Sequence, residues 1–288
     1  MTLLGILLAL LLERALGQSA GWGRPVIFLA AMRGLHRVLP AALWNSPLLP
    51  LAVIAVPVAV TEWLYADIAS PIVEVAAATL VLLLCLGPRD LAEEIHDLLA
   101  ARAAGDAQRA QQIARALQRG PQPDESHRSL MGTLFIQSHE KLFGVLLWFF
   151  VLGPAGAVAY RVASRLPRLL AETSPDTPAH RCADWLHNLL AWIPVRITAL
   201  LLGLAGSLDD AIGAWRELIR EPLSGGWREH TWALLAEIAV ASLRSENAEG
   251  ATEVVNLDAA LREVLRMQWR ALLLLLAVFA LFTTGSLV

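Results

Sequence analysis

The chain has 288 residues, 56% of them hydrophobic and only 17% charged, with a formal net charge of −3. A soluble domain carries about a quarter charged residues, whereas the apolar residues here gather into blocks approaching the ~20 needed to cross ~30 Å of hydrocarbon; this excludes an ordinary soluble domain. The weakly acidic total leaves no electrostatic footprint for nucleic acid, and the two distant cysteines, Cys85 and Cys182, argue against a disulfide scaffold.

In chain order, Met1 to Leu12 is uncharged and ends at Glu13 and Arg14. It lacks the basic start of a secretory signal and reads as a retained hydrophobic helix, either spanning or interfacial. Pro47 to Tyr65 and Ile68 to Leu86 flank a short turn at Ala66 and Asp67, the pattern of a helical hairpin. Glu62 and Glu74 lie near its tip, where they can snorkel to the interface. Next, Arg89 to Ala104 places Leu91, Ile95, Leu98 and Leu99 at helical spacing. Gly105 stops that helix, Asp106 caps another running to about Arg119, and the stretch Gly120 to Pro123 ends it. Leu142 to Tyr160 carries no charge, and Leu186 to Gly206 is apolar but interrupted by Pro194 and Arg196. The segment 244–269 reads as an amphipathic helix after the polar stretch Ser245 to Gly250, and Ala271 to Val288 is again uncharged.

No sustained alternation of period two occurs, and an open sheet could not satisfy its backbone in lipid. The expected fold is therefore all-α: a polytopic helical membrane protein with about 4–6 membrane helices. Residues 1–288 form a single integral membrane domain in this reading, with 87–141 a helical hairpin loop and 207–270 a helical loop. Seven Lys/Arg in 87–141, four in 13–47 and seven in 207–270 place these loops in the cytoplasm by the positive-inside rule. The expected location is a bacterial inner membrane. Residues 161–187 conflict with the rule, because Arg161, Arg165, Arg168 and Arg181 would fall outside under strict alternation. Either Leu186 to Gly206 is re-entrant or the loop is an exception.

No Walker A loop, dinucleotide fingerprint, HExxH or GxSxG is present. None of the seven histidines lies four residues from another, so the pattern implies no metal site and no cofactor. A few polar groups sit in costly places. Glu140 precedes a charge-free helix, where the helix dipole stabilises it whatever its role; Arg161 ends that helix. Arg196 follows Pro194 within an apolar stretch, where a guanidinium needs an anion, carbonyls or a lipid phosphate. Gly153, Pro154 and Gly156 offer a close-packing surface with a kinking proline.

The run from Leu147 to Arg161, followed by that from Ala191 to Leu202, resembles the superfamily containing the cobalamin-biosynthesis CobD/CbiB proteins and AmpE. The likeness covers essentially the whole chain, and the opening Met1 to Leu4 with Glu13 and Arg14, the length and the ending Thr284 to Val288 are more similar to the AmpE branch. The CobD/CbiB branch implies a membrane synthase joining an aminopropanol unit to a corrinoid carboxylate. The AmpE branch implies an inner-membrane regulator of β-lactamase induction and muropeptide recycling. Its partners, besides the lipid bilayer, would be a cell-wall-recycling or signalling protein or a muropeptide-like ligand. The synthases carry a Glu-Asn-Thr/Ser-x-Asp-Gly stretch before the first motif; here Ile136, Gln137, Ser138, His139, Glu140 and Lys141 stand there. Before the second motif an Arg-Leu-Asp-Asp run is replaced, with Trp185 for the arginine and His187 and Asn188 for the aspartates. Losing these carboxylates removes groups suited to metal–phosphate binding or acid–base work. The expectation is therefore an AmpE-like regulator with no catalytic residues, and the alternative is a divergent cobalamin-type synthase. The resemblance leaves Gln137, His139, Glu140, Arg161, His187, Asn188 and Arg196 as ligand-binding candidates on a Gly153, Pro154, Gly156 and Pro194 framework.

Overall fold

The computed structural model describes residues 2–16, 26–86, 91–117, 127–220, 226–243 and 257–285. Among them every regular element is helical, as the missing alternation requires. Leu48–Ala66, Arg128–Thr173, Pro178–Ala205 and Leu257–Thr283 are long and apolar enough to cross a membrane, and Pro71–Leu86 is a shorter apolar helix. Their outer faces carry side chains that water would penalise, such as Trp63 at 70% exposure, and lipid is the solvent that accommodates them. The chain is a multi-pass helical membrane protein. It divides into two compact units, the first made of residues 1–89 and 140–192 and the second of 90–139 and 193–288.

The first unit opens with α1 (Thr2–Leu16), α2 (Val26–Val38), the short α3 (Ala41–Trp44), α4 (Leu48–Ala66) and α5 (Pro71–Leu86). The helices α4 and α5 and the short turn between them stand where the sequence places them, with Glu62 and Glu74 exposed near that turn; α4 packs chiefly on the helix Gly144–Thr173, and α5 on that helix and on α1. Sequence periodicity did not single out α2; its Met32 packs with Trp44, Leu49, Leu166, Leu170, Ala179 and Ala183 into one core. Trp44 closes that core by donating its indole N–H to Ser174 Oγ at 3.0 Å.

The dominant feature of this unit is α9 (Gly144–Thr173). It contains the charge-free stretch, but it is not one rod. At ~1.5 Å rise per residue, Glu140 and Arg161 would lie about 30 Å apart in a straight helix. Instead Arg161 Nη1 donates to the Glu140 carbonyl at 3.2 Å. The chain reverses at Gly153, whose φ of 65° and ψ of −156° fall in a region essentially reserved for glycine. Pro154 then starts the returning limb, where its fixed φ suits a first helical turn and its missing N–H costs nothing. A Cβ at Gly156 would strike the Trp148 carbonyl of the outgoing limb, so this glycine sets how closely the limbs approach. The proline kink expected from the sequence is thus a full reversal, and Arg161, Arg165 and Arg168 lie on its helical second limb, 154–173, not in a loop. The connection to α10 (Pro178–Ala205) is only Ser174 to Thr177.

Pro194 does not break α10, which runs unbroken as one helix. Without an N–H, Pro194 leaves the Leu190 carbonyl without its usual donor; Trp148 Nε1 supplies one at 3.0 Å. The first motif is therefore bonded to the residue just before the second, at a carbonyl that the second motif's proline leaves open.

The second unit holds α6 (Leu91–Ala103), α7 (Ala107–Leu117), α8 (His127–Ser138), the later part of α10, α11 (Leu208–Arg220), α12 (Gly226–Ala241) and α13 (Leu257–Gly285). Leu91, Ile95 and Leu98 of α6 are buried as their spacing predicts. Gly105, at φ 72°, ends α6: its N–H bonds Arg102 O and that of Asp106 bonds Ala101 O, both at 3.0 Å, a Schellman stop. Asp106 Oδ1 accepts the Arg109 N–H at 3.0 Å, capping α7 as expected. The terminator Gly120 to Pro123 and the stretch Ser245 to Gly250 lie outside the described residues. Gly132 of α8 meets Ala236 of α12 closely, and Arg102 pairs with Asp258 at 2.5 Å.

Candidate functional site

The π-helical turn His139–Phe143 lies between α8 and α9. Such turns recur at functional sites because the widened ring re-aims its side chains. Glu140 is 8% exposed. Its Oε2 receives Arg168 Nη2 at 2.5 Å, and its Oε1 lies 3.7 Å from His187 Nε2. The latter is longer than a hydrogen bond and is an electrostatic contact between two buried groups. Arg168 and His187 come from the second limb of α9 and the start of α10, so the reversal at Gly153 is what brings them to Glu140.

Two more residues complete this cluster in the first unit. Arg161 donates to the Glu140 carbonyl and, through Nη2, to Leu86 O, each at 3.2 Å. Tyr160 has no exposed surface, and its ring centroid stands 6.1 Å from that of His187. Asn188 is also buried, but its amide turns back on α10 and donates to Asp184 O at 2.7 Å. Sequence reasoning missed Arg168 and Tyr160. The spacing of Arg161, Arg165 and Arg168, four and then three residues, is that of one helix face, and this signal was available.

The remaining candidates belong to the second unit. Gln137 is buried and donates its amide to Leu117 O at the end of α7, a structural use that supplies a donor to a terminal carbonyl. His139 is fully buried, with Nδ1 2.9 Å from Thr198 Oγ and its ring edge-on to Trp232. Thr198 bonds the Pro194 carbonyl at 2.9 Å, which uses its one hydroxyl hydrogen, so Nδ1 of His139 is the donor. Arg196 is partly buried in α10.

A buried carboxylate beside an imidazole, with a guanidinium on its other oxygen, is a proton-handling arrangement. Fold and cluster together define a polytopic helical membrane protein with a buried carboxylate flanked by an imidazole and a guanidinium in its first unit. The model of the CobD/Cbib protein family matches residues 6–267, and the chain belongs to that family. It is 30% identical over 224 residues to the cobalamin biosynthesis protein CobD of Chromobacterium violaceum, covering 73% of this chain and 71% of that protein. No solved structure matches the chain.

These matches overturn the expectation of an AmpE-like regulator of β-lactamase induction, and the cell-wall-recycling or signalling partner goes with it. They favour the cobalamin alternative. The physical reason lies in the cluster: position by position, the exchanges at Ile136, His187 and Asn188 read as lost chemistry. Yet Glu140 remains a buried carboxylate, and His187, at an expected aspartate position, stands beside it.

Proposed function

We propose that this protein is a membrane synthase of cobalamin biosynthesis that joins an aminopropanol unit to a corrinoid carboxylate. The observation that carries this reading is the convergence of Glu140, His187 and Arg168. An amine attacks only as its free base. His187 takes the proton from the substrate ammonium, and Glu140 stabilises the resulting imidazolium as the carboxylate does in a triad. Arg168 fixes the second carboxylate oxygen, leaving the first toward the imidazole. With the corrinoid carboxylate first activated by a nucleoside triphosphate as an acyl phosphate, the free amine attacks the carbonyl carbon, the C–N bond forms, and the C–O bond breaks with phosphate leaving. The family match over residues 6–267 and the CobD relative support the substrate class.

The protein is proposed to sit in a bacterial inner membrane as one integral domain, with 87–141 and 207–270 on the cytoplasmic side, where their arginines favour them. The test is complementation of a cobalamin-auxotrophic strain lacking its synthase. Growth is expected with the wild-type chain and a loss of growth with Glu140→Gln or His187→Gln at equal membrane levels. A well-expressed wild-type chain that never restores growth would refute the proposal.

A further inference from the structure

The geometry points to Tyr160 and Arg161 as positioning residues that hold the Glu140–His187 pair from the second limb of α9: Arg161 through the main chain of Glu140, Tyr160 through the ring of His187. This rests on the reading of Glu140 and His187 as the proton-transfer pair.

Arg161 looks from the sequence like a ligand-binding cation. In the structure its two terminal nitrogens are used on backbone. One bonds the carbonyl of Glu140 within the π-helical turn, the other the carbonyl of Leu86. Leu86 is the last residue of α5, whose final carbonyls have no intrahelical donors. One planar guanidinium therefore ties the end of α5 to the peptide that carries the acid. An ammonium could keep the charge but not span both acceptors in a fixed fork.

Tyr160 works from the other side. Its ring is fully buried, and a Cβ at Gly144, on the outgoing limb, would overlap the ring and its hydroxyl. The His187 ring also lies beside it, tilted by 56°. The phenol is thus a wedge between Gly144 and the imidazole, and a methyl group at residue 144 disturbs the wedge without changing any polar group. Misplacing reacting groups by ~1 Å costs about 100-fold in rate, and this sets the scale of the expected effects.

The experiment uses the full-length protein in detergent micelles, comparing wild type with Gly144→Ala, Tyr160→Phe, Tyr160→Leu and Arg161→Lys. The His187 imidazole is followed by 15N NMR titration, assigned with His187→Gln, and Glu140→Gln gives the reference for an imidazole deprived of its partner. Amide formation is measured with 1-amino-2-propanol, a corrinoid acid and ATP with Mg2+ as the activating co-reactant. Gly144→Ala, Tyr160→Leu and Arg161→Lys should each move the His187 titration toward that of the Glu140→Gln protein. They should lower kcat about 10- to 100-fold with KM nearly unchanged. Tyr160→Phe, which keeps the wedge, should restore both readouts to within about threefold of wild type. If Arg161→Lys raises KM and leaves kcat intact, Arg161 contacts substrate and the inference is overturned. Folded variants with an unmoved His187 titration would overturn it equally. If Gly144→Ala does not fold, Tyr160→Leu against Tyr160→Phe decides the wedge. A wild-type protein that makes no amide refutes the proposed reaction, while the titration still decides the positioning roles.

Discussion

The bond from Trp148 to Leu190 permits a quantitative test, because its need arises from a third residue. Pro194 cannot donate to the Leu190 carbonyl, and Trp148 Nε1 reaches that oxygen at 3.0 Å. Trp148→Phe removes the donor and leaves a half-buried carbonyl unsatisfied. In water-soluble cores this costs about 1–3 kcal/mol, but hydrogen bonds measured within membranes average ~0.6 kcal/mol. A cost of about 1 kcal/mol for this part-buried bond follows, on top of the lost indole packing. Pro194→Ala separates the two contributions, since alanine restores the N–H four residues on and makes the indole redundant as a donor. The packing loss is common to both backgrounds and cancels in the double-mutant cycle. Unfolding by SDS in mixed micelles, followed by far-ultraviolet circular dichroism, reads the four stabilities. Trp148→Phe should cost about 1 kcal/mol less in the Pro194→Ala background than in the wild type. Strict additivity would refute the claim that the proline creates the need for the indole.

Four further outcomes follow from the structure. Gly153→Ala puts an L side chain at φ 65° and ψ −156° and should destabilise the protein by about 1–3 kcal/mol. Gly213→Ala, in α11 with open space around it, should stabilise it by about 0.5–1 kcal/mol in the same SDS titration. Asp106→Ala removes the cap that Arg109 uses and should cost about 1 kcal/mol, with faster hydrogen exchange at the start of α7 as the local signature. Arg102→Ala breaks an ion pair whose partners are 38% and 33% exposed. Its cost should stay below about 1 kcal/mol and shrink as salt is raised, so a larger, salt-independent loss would assign Arg102 a role beyond that pair.

The polar remnant shows how far a sequence can carry a site. Glu140 and Arg161 were legible as ionisable groups in apolar surroundings, and His187 through the resemblance alone. Their meeting was not legible, because Glu140 and His187 are 47 positions apart (187 − 140) and converge through a reversal at Gly153 and a second turn at Ser174 to Thr177. Gly153 and Pro154 read equally well as a kink, since hydropathy is blind to the sign of φ. The branch of the family was misjudged for a related reason. Counting missing acids treats each position alone, whereas a carboxylate's chemistry depends on what lies beside it.

By itself the sequence determined that lipid would be the solvent of this chain and helix its backbone, because apolar runs of that length leave no other way to satisfy peptide groups in hydrocarbon. It also determined the stop and cap at Gly105 and Asp106, where the signal is local and each hydrogen bond closes within a few residues. Tertiary structure alone decided what Arg161 and Arg168 meet: the Glu140 and Leu86 carbonyls for one, the Glu140 carboxylate for the other. An arginine-rich stretch has the same hydropathy whether water surrounds its charges or a carbonyl, a carboxylate and neighbouring helices do, and only the paired geometry distinguishes the two.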